Sequence, residues 1–323
     1  MYEIVLYCIT LEIYTDKETG FFEWIISNEG GIRLKLKNQK LLPFLLLAVI
    51  AVLALVVLLL HMKGSGVKNE KLKVTVLKTG KSDAIVLESA GKAMMIDTGE
   101  VDDAEKIVEF LKAENITSLD AVVITHYDKD HVGAAGLIVE NFNVDRVLVP
   151  DYEGTRTEYF DFMNAMKAAM IVPQRVSETM EFTFGETTVL IDPPVDYDVN
   201  TISDVVDDYD NTLSLMTTVT CGEKRFLFTG DADRRRIRDW LSNGTVQHVD
   251  FLKVPHHGLF NAALDQLLEA TTPDCAAITC SAKNPADDST LEVLKKYGVD
   301  VYQTRNGQIT VTTDGSKLNL KLN

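Results

Sequence analysis

Residues 120–133 read Asp120-Ala121-Val122-Val123-Ile124-Thr125-His126-Tyr127-Asp128-Lys129-Asp130-His131-Val132-Gly133. A short, largely β-branched apolar run without polar alternation is the pattern of a strand buried on both faces. It stops in four potential metal ligands within six positions: His126, Asp128, Asp130 and His131. Imidazole and carboxylate together suit Zn²⁺, and also Mn²⁺ or Fe²⁺. In a loop after a strand, alternate side chains can turn towards two ions about 3.5–4 Å apart, which would clamp both oxygens of a phosphoryl or acyl centre. A polar surface loop would account for this stretch taken alone.

The rest of the chain argues against that bland reading. Arg225 to Phe228 reads as a strand and ends in Thr229-Gly230-Asp231; Val249 to Val254 ends in Pro255-His256-His257-Gly258. Four of the chain's six histidines fall in these two tight pairs, His126 with His131 and His256 with His257. Further short strands are expected at 73–77, 84–87, 93–96, 213–219 and 275–279, with Gly80 and Gly91 at the early breaks. Helices are expected at 103–111 from the spacing of Ile107, Phe110 and Leu111, from Gly133 onward, and at 233–241. Residues 299–321 supply more strands, with Asn306-Gly307 and Asp314-Gly315 as hairpin turns. Strands and helices interleaved in both halves predict an α/β (α+β) protein with sheets covered by helices. Each reactive cluster follows a strand, where ligand sites of such proteins lie.

The set Asp97-Thr98-Gly99, THYDKDHVG at 125–133, LFTGDAD at 227–233 and KVPHHG at 253–258 resembles the metallo-β-lactamase superfamily. More narrowly it is similar to the hydrolase domain of ComEC-type competence proteins. These also carry Asp at the second histidine position of the HxHxDH motif and a strand followed by G-x-x-D-A, here Gly80-Lys81-Ser82-Asp83-Ala84. The resemblance covers residues 71–323 and implies a four-layer αββα sandwich with two divalent metals, Zn or alternatively Mn, at one edge of the facing sheets. It implies that His126 and Asp128 bind the first metal, Asp130 and His131 the second, and that Asp231 bridges them. His257 would complete the second site and leave His256 to meet a substrate oxyanion or move a proton; the reverse assignment of the pair stays open. A hydroxide held by the metals would be the nucleophile, so Asp130 and His256 are the candidate catalytic side chains. Asp97 would steady a ligand histidine from behind, and Asn211 stands where ComEC-like domains carry Asn.

Two departures bear on this. No histidine occurs from Val132 to Gln247, although many members of the superfamily place a third histidine there for the first metal. The first site is therefore the weaker one. ComEC-type proteins also have many transmembrane helices, and this sequence offers a single apolar segment.

That segment, residues 41–60, runs twenty positions without a charge. At about 1.5 Å per residue it spans a hydrocarbon core of about 30 Å, and no A-x-A cleavage pattern follows it. It predicts a single-pass membrane anchor between an N-terminal segment (1–40) and a linker (61–70) containing Gly64-Ser65-Gly66, ahead of the hydrolase domain (71–323). Arg33, Lys35, Lys37 and Lys40 crowd its N-terminal side, which favours a cytosolic N-terminus and an extracellular large domain. Residues 1–63 carry six basic and six acidic side chains, so the whole net charge of −16 falls on the remainder. Tight non-specific DNA binding depends on Lys and Arg neutralising phosphates, and this balance argues against it.

Cys8, Cys221, Cys275 and Cys280 form no C-x-x-C pair and read as buried free thiols. Arg234-Arg235-Arg236-Ile237-Arg238 reads as a solvated helix face, with a phosphate contact as the functional alternative, and the acids of Asp204 to Asp210 read as a mobile loop. The expected function is a membrane-anchored metal-dependent hydrolase of phosphodiesters, DNA being one substrate among smaller phosphoesters. The alternatives are a lactonase, thioesterase or amidase on the same metals, or a non-catalytic competence-related binding module. No obligate protein partner is implied.

Overall fold

A computed structural model describes residues 10–15, 22–27, 32–35, 70–195, 197, 209–243 and 247–323. The anchor expected at 41–60 lies outside the described residues; among those described, no helix is long and apolar enough to cross a membrane. The chain divides into two compact units, 1–68 and 69–323. In the first, β1 (Thr10–Thr15), β2 (Phe22–Ser27) and β3 (Ile32–Lys35) pair antiparallel as a three-stranded sheet.

The second unit begins with β4 (Leu72–Val76), β5 (Ala84–Ser89) and β6 (Lys92–Thr98), followed by α1 (Ala104–Ala113). The two-residue β7 (Ser118–Leu119) precedes β8 (Ala121–Val123), and then come α2 (Lys129–Val132) and α3 (Ala135–Asn141). Next are β9 (Asn143–Val144), β10 (Val147–Pro150), α4 (Thr157–Ala168) and β11 (Gln174–Val176). The second half holds β12 (Met180–Phe184), β13 (Thr187–Asp192), the single turn α5 (Tyr209–Thr212), β14 (Met216–Cys221), β15 (Lys224–Phe228) and α6 (Arg234–Ser242). It continues with β16 (Phe251–Lys253), α7 (Leu264–Thr271), β17 (Cys275–Ile278), α8 (Asp288–Lys296) and β18 (Asp300–Gln303), and ends in the hairpin β19 (Ile309–Thr313) and β20 (Leu318–Leu322).

Two large sheets result. One has the order β11-β10-β8-β6-β5-β4-β19-β20, the other β12-β13-β14-β15-β16-β17-β18. In each, one half is antiparallel and the other parallel. The parallel halves need crossover helices, and these cover the outer faces. Alternation along the strands sorts the core into three layers. On β5, Ile85 and Leu87 point between the sheets, while Ala84 and Val86 point to the layer under α1 and α4. On β15, Phe226 and Phe228 join the inter-sheet layer and Leu227 the layer under α6 and α7. Helices, sheet, sheet, helices is the four-layer αββα arrangement expected, and it places the C-terminal ends of β6, β8, β15, β16 and β17 together.

Several expectations are corrected. Asn306-Gly307 is not a hairpin turn: residues 304–306 form a 3₁₀ turn between β18 and β19, which belong to different sheets. Asp314-Gly315 is the hairpin, its Asp314 carboxylate accepting the N–H groups of Ser316 and Lys317. The arginines of α6 are not one solvated face. Arg236 is fully buried and donates to the carbonyls of Ser214 and Asp192 and to Asp239. Asp210 leaves the expected mobile loop for α5, where it is buried. Cys221, Cys275 and Cys280 are buried free thiols, and Cys8 lies outside the described residues.

Candidate metal centre

β6 delivers Asp97 in a left-handed conformation (φ 56°). Its Oδ1 accepts the Thr125 N–H at 2.7 Å, and its Oδ2 accepts the Thr125 hydroxyl and the His131 ring, both at 2.7 Å. One buried carboxylate thus fixes the exit of β8 and the orientation of His131. Because Thr125 donates its hydroxyl proton to Asp97, its oxygen accepts from Nδ1 of His126 at 3.0 Å. A histidine held through Nδ1–H presents the lone pair of Nε2. The turn does not stay an open loop: α2 carries Asp130 and His131, with Asp128 at its start and its carbonyl accepting the His131 N–H.

The second sheet supplies the facing wall. Gly230 (φ +51°) lets β15 turn towards Thr125; a Cβ there would come 2.8 Å from the Thr125 hydroxyl oxygen. Asp231 follows, buried. His256 and His257 both adopt left-handed backbone, φ 49° and 55°, a conformation uncommon outside glycine and costing about 1 kcal/mol or more per residue. His257 is buried, and its Nδ1 donates to the Thr279 hydroxyl at 2.9 Å, which in turn donates to Asp83 at 2.6 Å. Lys253, wholly buried at the end of β16, closes this chain by donating to the other Asp83 oxygen at 2.5 Å, and it lies 3.7 Å from Asp231.

Four side chains therefore converge. Nε2 of His131 is 3.2 Å from Asp231 and 3.3 Å from Nε2 of His257; the latter is 3.3 Å from Asp130 and 3.1 Å from Asp231. Asp130, His131, Asp231 and His257 each bring a ligand atom within 4.8 Å of the others and are able to hold a metal ion. His126 stacks beside them, its ring 4.0 Å from that of His131, with Nε2 3.6 Å from Asp128. That Nε2, and Oδ1 of Asp231, are buried without a hydrogen-bond partner. A buried imidazole lone pair beside a buried carboxylate oxygen is a costly arrangement in a protein without a cation, so the residues fit a metal. His256 stands outside the group, 30% exposed, with Nε2 3.7 Å from Asp231. Asn211 is buried on α5 next to Asp210, whose carboxylate accepts the Tyr152 hydroxyl at 2.5 Å.

The electrostatics follow from the crowding. Burial pushes Asp231 and Asp130 up, but the neighbouring imidazoles outweigh it and hold both below the ordinary carboxylate range. Burial pushes His131 and His257 down, and the charges of Asp231, with Asp97 for His131 and Asp130 for His257, lift both above the ordinary imidazole value. His256 is lowered, chiefly by burial. The crowded carboxylates thus favour positive charge at the centre.

Several residues of this centre escaped the sequence reading. Asp83 entered it only as one letter of a resembling stretch, and Thr125, Thr279, Lys253 and Asp210 were assigned no role. Lys253 left a signal, a lone charge ending the apolar Phe251-Leu252. Threonines acting through a hydroxyl leave none.

The chain belongs to the metallo-beta-lactamase superfamily, whose family model matches residues 77–281. Among curated proteins it is 25% identical to ComE operon protein 3 of Bacillus subtilis over 209 residues, 63% of this chain and 26% of that one. It is 26% identical to Recombination protein 2 of Haemophilus influenzae over 258 residues (77% and 30%) and 25% identical to Competence protein ComA of Neisseria gonorrhoeae over 285 residues (81% and 37%). The matches thus span only about a quarter to just over a third of these relatives. Of solved structures, the metallo-beta-lactamase fold protein YhfI from Bacillus subtilis superposes with a TM-score of 0.51 at 12% identity, over 77% of this chain and 99% of that one. CmlA beta-hydroxylase superposes with a TM-score of 0.51 at 15% identity, over 75% and 54%. Both likenesses concern the fold alone.

Proposed function

We propose that this protein is a metal-dependent hydrolase of phosphodiesters, anchored to the cell membrane through residues 41–60 with the large domain outside. One observation carries the catalytic part. His131 and His257, brought from the two sheets and each tied through Nδ1, present Nε2 within 3.2 Å of the buried Asp231, while His126, also tied through Nδ1, has its ring beside that of His131. In this reading Asp130, His131, Asp231 and His257 hold one ion, and His126, Asp128 and Asp231 the other, with Zn²⁺ the best match to the donors and Mn²⁺ compatible. Divalent ions there would supply Lewis acidity and a water that ionises near neutral pH.

The chain's own groups supply the rest. Asp97, and Asp83 acting through Thr279, keep the imidazoles in the tautomer that binds metal. His256 is partly exposed beside the centre and its pKa is lowered, chiefly by burial, so as a neutral imidazole it is suited to donating a ring N–H hydrogen bond to a phosphoryl oxygen. The acidic surface favours a small or locally presented phosphodiester over a long stretch of DNA. Names of the competence and recombination relatives keep single-stranded DNA among the candidates.

The test is turnover by the full chain loaded with Zn²⁺ or Mn²⁺ on single-stranded DNA, bis-p-nitrophenyl phosphate, a phosphorylcholine ester, a lactone and a thioester. Phosphodiester cleavage lost by about 10³-fold or more in Asp231→Ala is expected. Cleavage of the lactone or thioester alone would move the reading to acyl chemistry on the same centre. No turnover on any substrate, with Asp231→Ala indistinguishable from wild type, would overturn it.

A further inference from the structure

The two ligand carboxylates nearest the solvent each meet a cation on their outer side. Arg156, at the start of α4, places Nη2 2.7 Å from Oδ1 of Asp128, and its side chain is 44% exposed. Lys81, between β5 and the strand before it, places Nζ 3.6 Å from Oδ2 of Asp130 and is 29% exposed. His256 is the third partly exposed group beside the centre. These cations face an interior crowded with carboxylates, in a domain that carries the whole net charge of −16. An anion drawn by the overall field of this molecule would be turned away, so local attraction has to come from side chains at the opening.

Neither cation sits on a free loop. The turn that carries Lys81 is bound to the ligand helix, because the Asp83 N–H donates to the Asp130 carbonyl at 3.0 Å, and the Thr79 and Ser82 side chains cross-link it. Arg156 is fixed by the first turn of α4, where the Phe160 N–H donates to its carbonyl. Buried pairs in this centre, such as Lys253 with Asp83, are closed to solvent on both sides. The Lys81 and Arg156 pairs are instead partly exposed on the cation's side. A guanidinium fork and an ammonium are the donors that hold phosphoryl oxygens.

We propose that Lys81 and Arg156 form a cationic mouth that binds the anionic oxygens of the substrate over the metal centre. The proposal rests on the phosphodiester reading above and deepens it by naming the groups that recognise the phosphoryl oxygens. Both residues bind and position the substrate and take no part in the reaction itself.

The experiment uses the full chain loaded with Zn²⁺, in wild type, Lys81→Met, Arg156→Met and Arg156→Lys. Inorganic phosphate is the probe, titrated calorimetrically; bound metal per chain is counted by elemental analysis, and bis-p-nitrophenyl phosphate kinetics give KM and kcat. Each methionine variant is expected to weaken phosphate binding about tenfold, the loss of one charge-assisted contact. KM should rise with kcat nearly unchanged, bound metal should match wild type, and Arg156→Lys should restore part of the affinity. Phosphate affinity unchanged in both methionine variants, or undetectable in the loaded wild type, would overturn the proposal. Metal lost in step with phosphate would overturn it as well, since the two cations would then serve only to hold Asp128 and Asp130. Should phosphate bind through Lys81 and Arg156 while no phosphodiester is cleaved, the mouth stands and the phosphodiesterase reading falls.

Discussion

His131 and His257 lie in a part of the centre closed by the protein's own groups, whereas His126 and Asp128 lie in a part left open. On the closed side the ligand groups are close: Nε2 of each histidine is within 3.3 Å of another ligand group, and Lys253, Asp83 and Thr279 lie behind. On the open side Nε2 of His126 has no hydrogen-bond partner, its nearest acid is 3.6 Å away, and Asp128 is shared with a half-exposed arginine. The closed side is preorganised by the fold. The proposed function assigns a tightly held ion to the closed side and the position next to substrate to the other.

The comparison breaks most visibly at Lys253. Removing one partner of a fully buried ion pair costs about 3–5 kcal/mol, because the other charge is left without compensation. Lys253→Met should lower the urea unfolding free energy by that amount, while Arg156→Met, at a half-exposed pair, should change it by less than about 1 kcal/mol. Equal effects would erase the distinction between the two sides.

The same pair should show itself in pH. Burial pushes the Lys253 ammonium down, but Asp83 and Asp231 outweigh it, so it sits above 10.5; Asp83, pushed up by burial and held by Lys253 and the imidazoles, sits below 3.8. Their stabilising contribution is whole between these ordinary values. It is lost as pH rises through the raised lysine pKa, and as pH falls through the lowered aspartate pKa. The stability gap between wild type and a Lys253→Met, Asp83→Asn double variant should be widest between 3.8 and 10.5 and shrink outside this window.

Metal binding sharpens the contrast at a smaller scale. Titration of the full chain with Zn²⁺ should give a tighter and a weaker phase. Thr279→Val, which cuts the link from His257 to Asp83, should weaken the tighter phase about 10–100-fold. His126→Ala should remove the weaker phase and leave the tighter one nearly unchanged. Loss of both phases in His126→Ala would mean that the two positions are one cooperative site.

The sequence carried the layers and the ligand turns because both depend on local order. An apolar run such as Ala84 to Leu87 announces a buried strand, though not which side chain meets which layer, and a strand that stops in His126 or His256 announces a site wherever it occurs. Two kinds of feature were not legible. Contacts between distant segments, such as Thr279 with Asp83 and Arg236 with Asp192, join ordinary polar residues whose meaning exists only after folding. Turn chemistry was misread where tertiary connection overrides it: Asn306-Gly307 has the letters of a hairpin, but the chain there passes from one sheet to the other. The adjacent His256 and His257 are alike as letters, and only the folded structure separates the buried ring tied to Thr279 from the partly exposed one.

The hairpin β19–β20 has a consequence for how the molecule is made. It pairs with β4 and so completes the sheet that the earliest strands of the domain began. During synthesis the first histidines leave the ribosome long before the strand that covers the β4 edge. Until then β4 presents unpaired backbone, and the half-built centre exposes imidazole and carboxylate to any passing ion. The hairpin therefore covers a backbone edge of β4 that would otherwise be open to pairing with another strand.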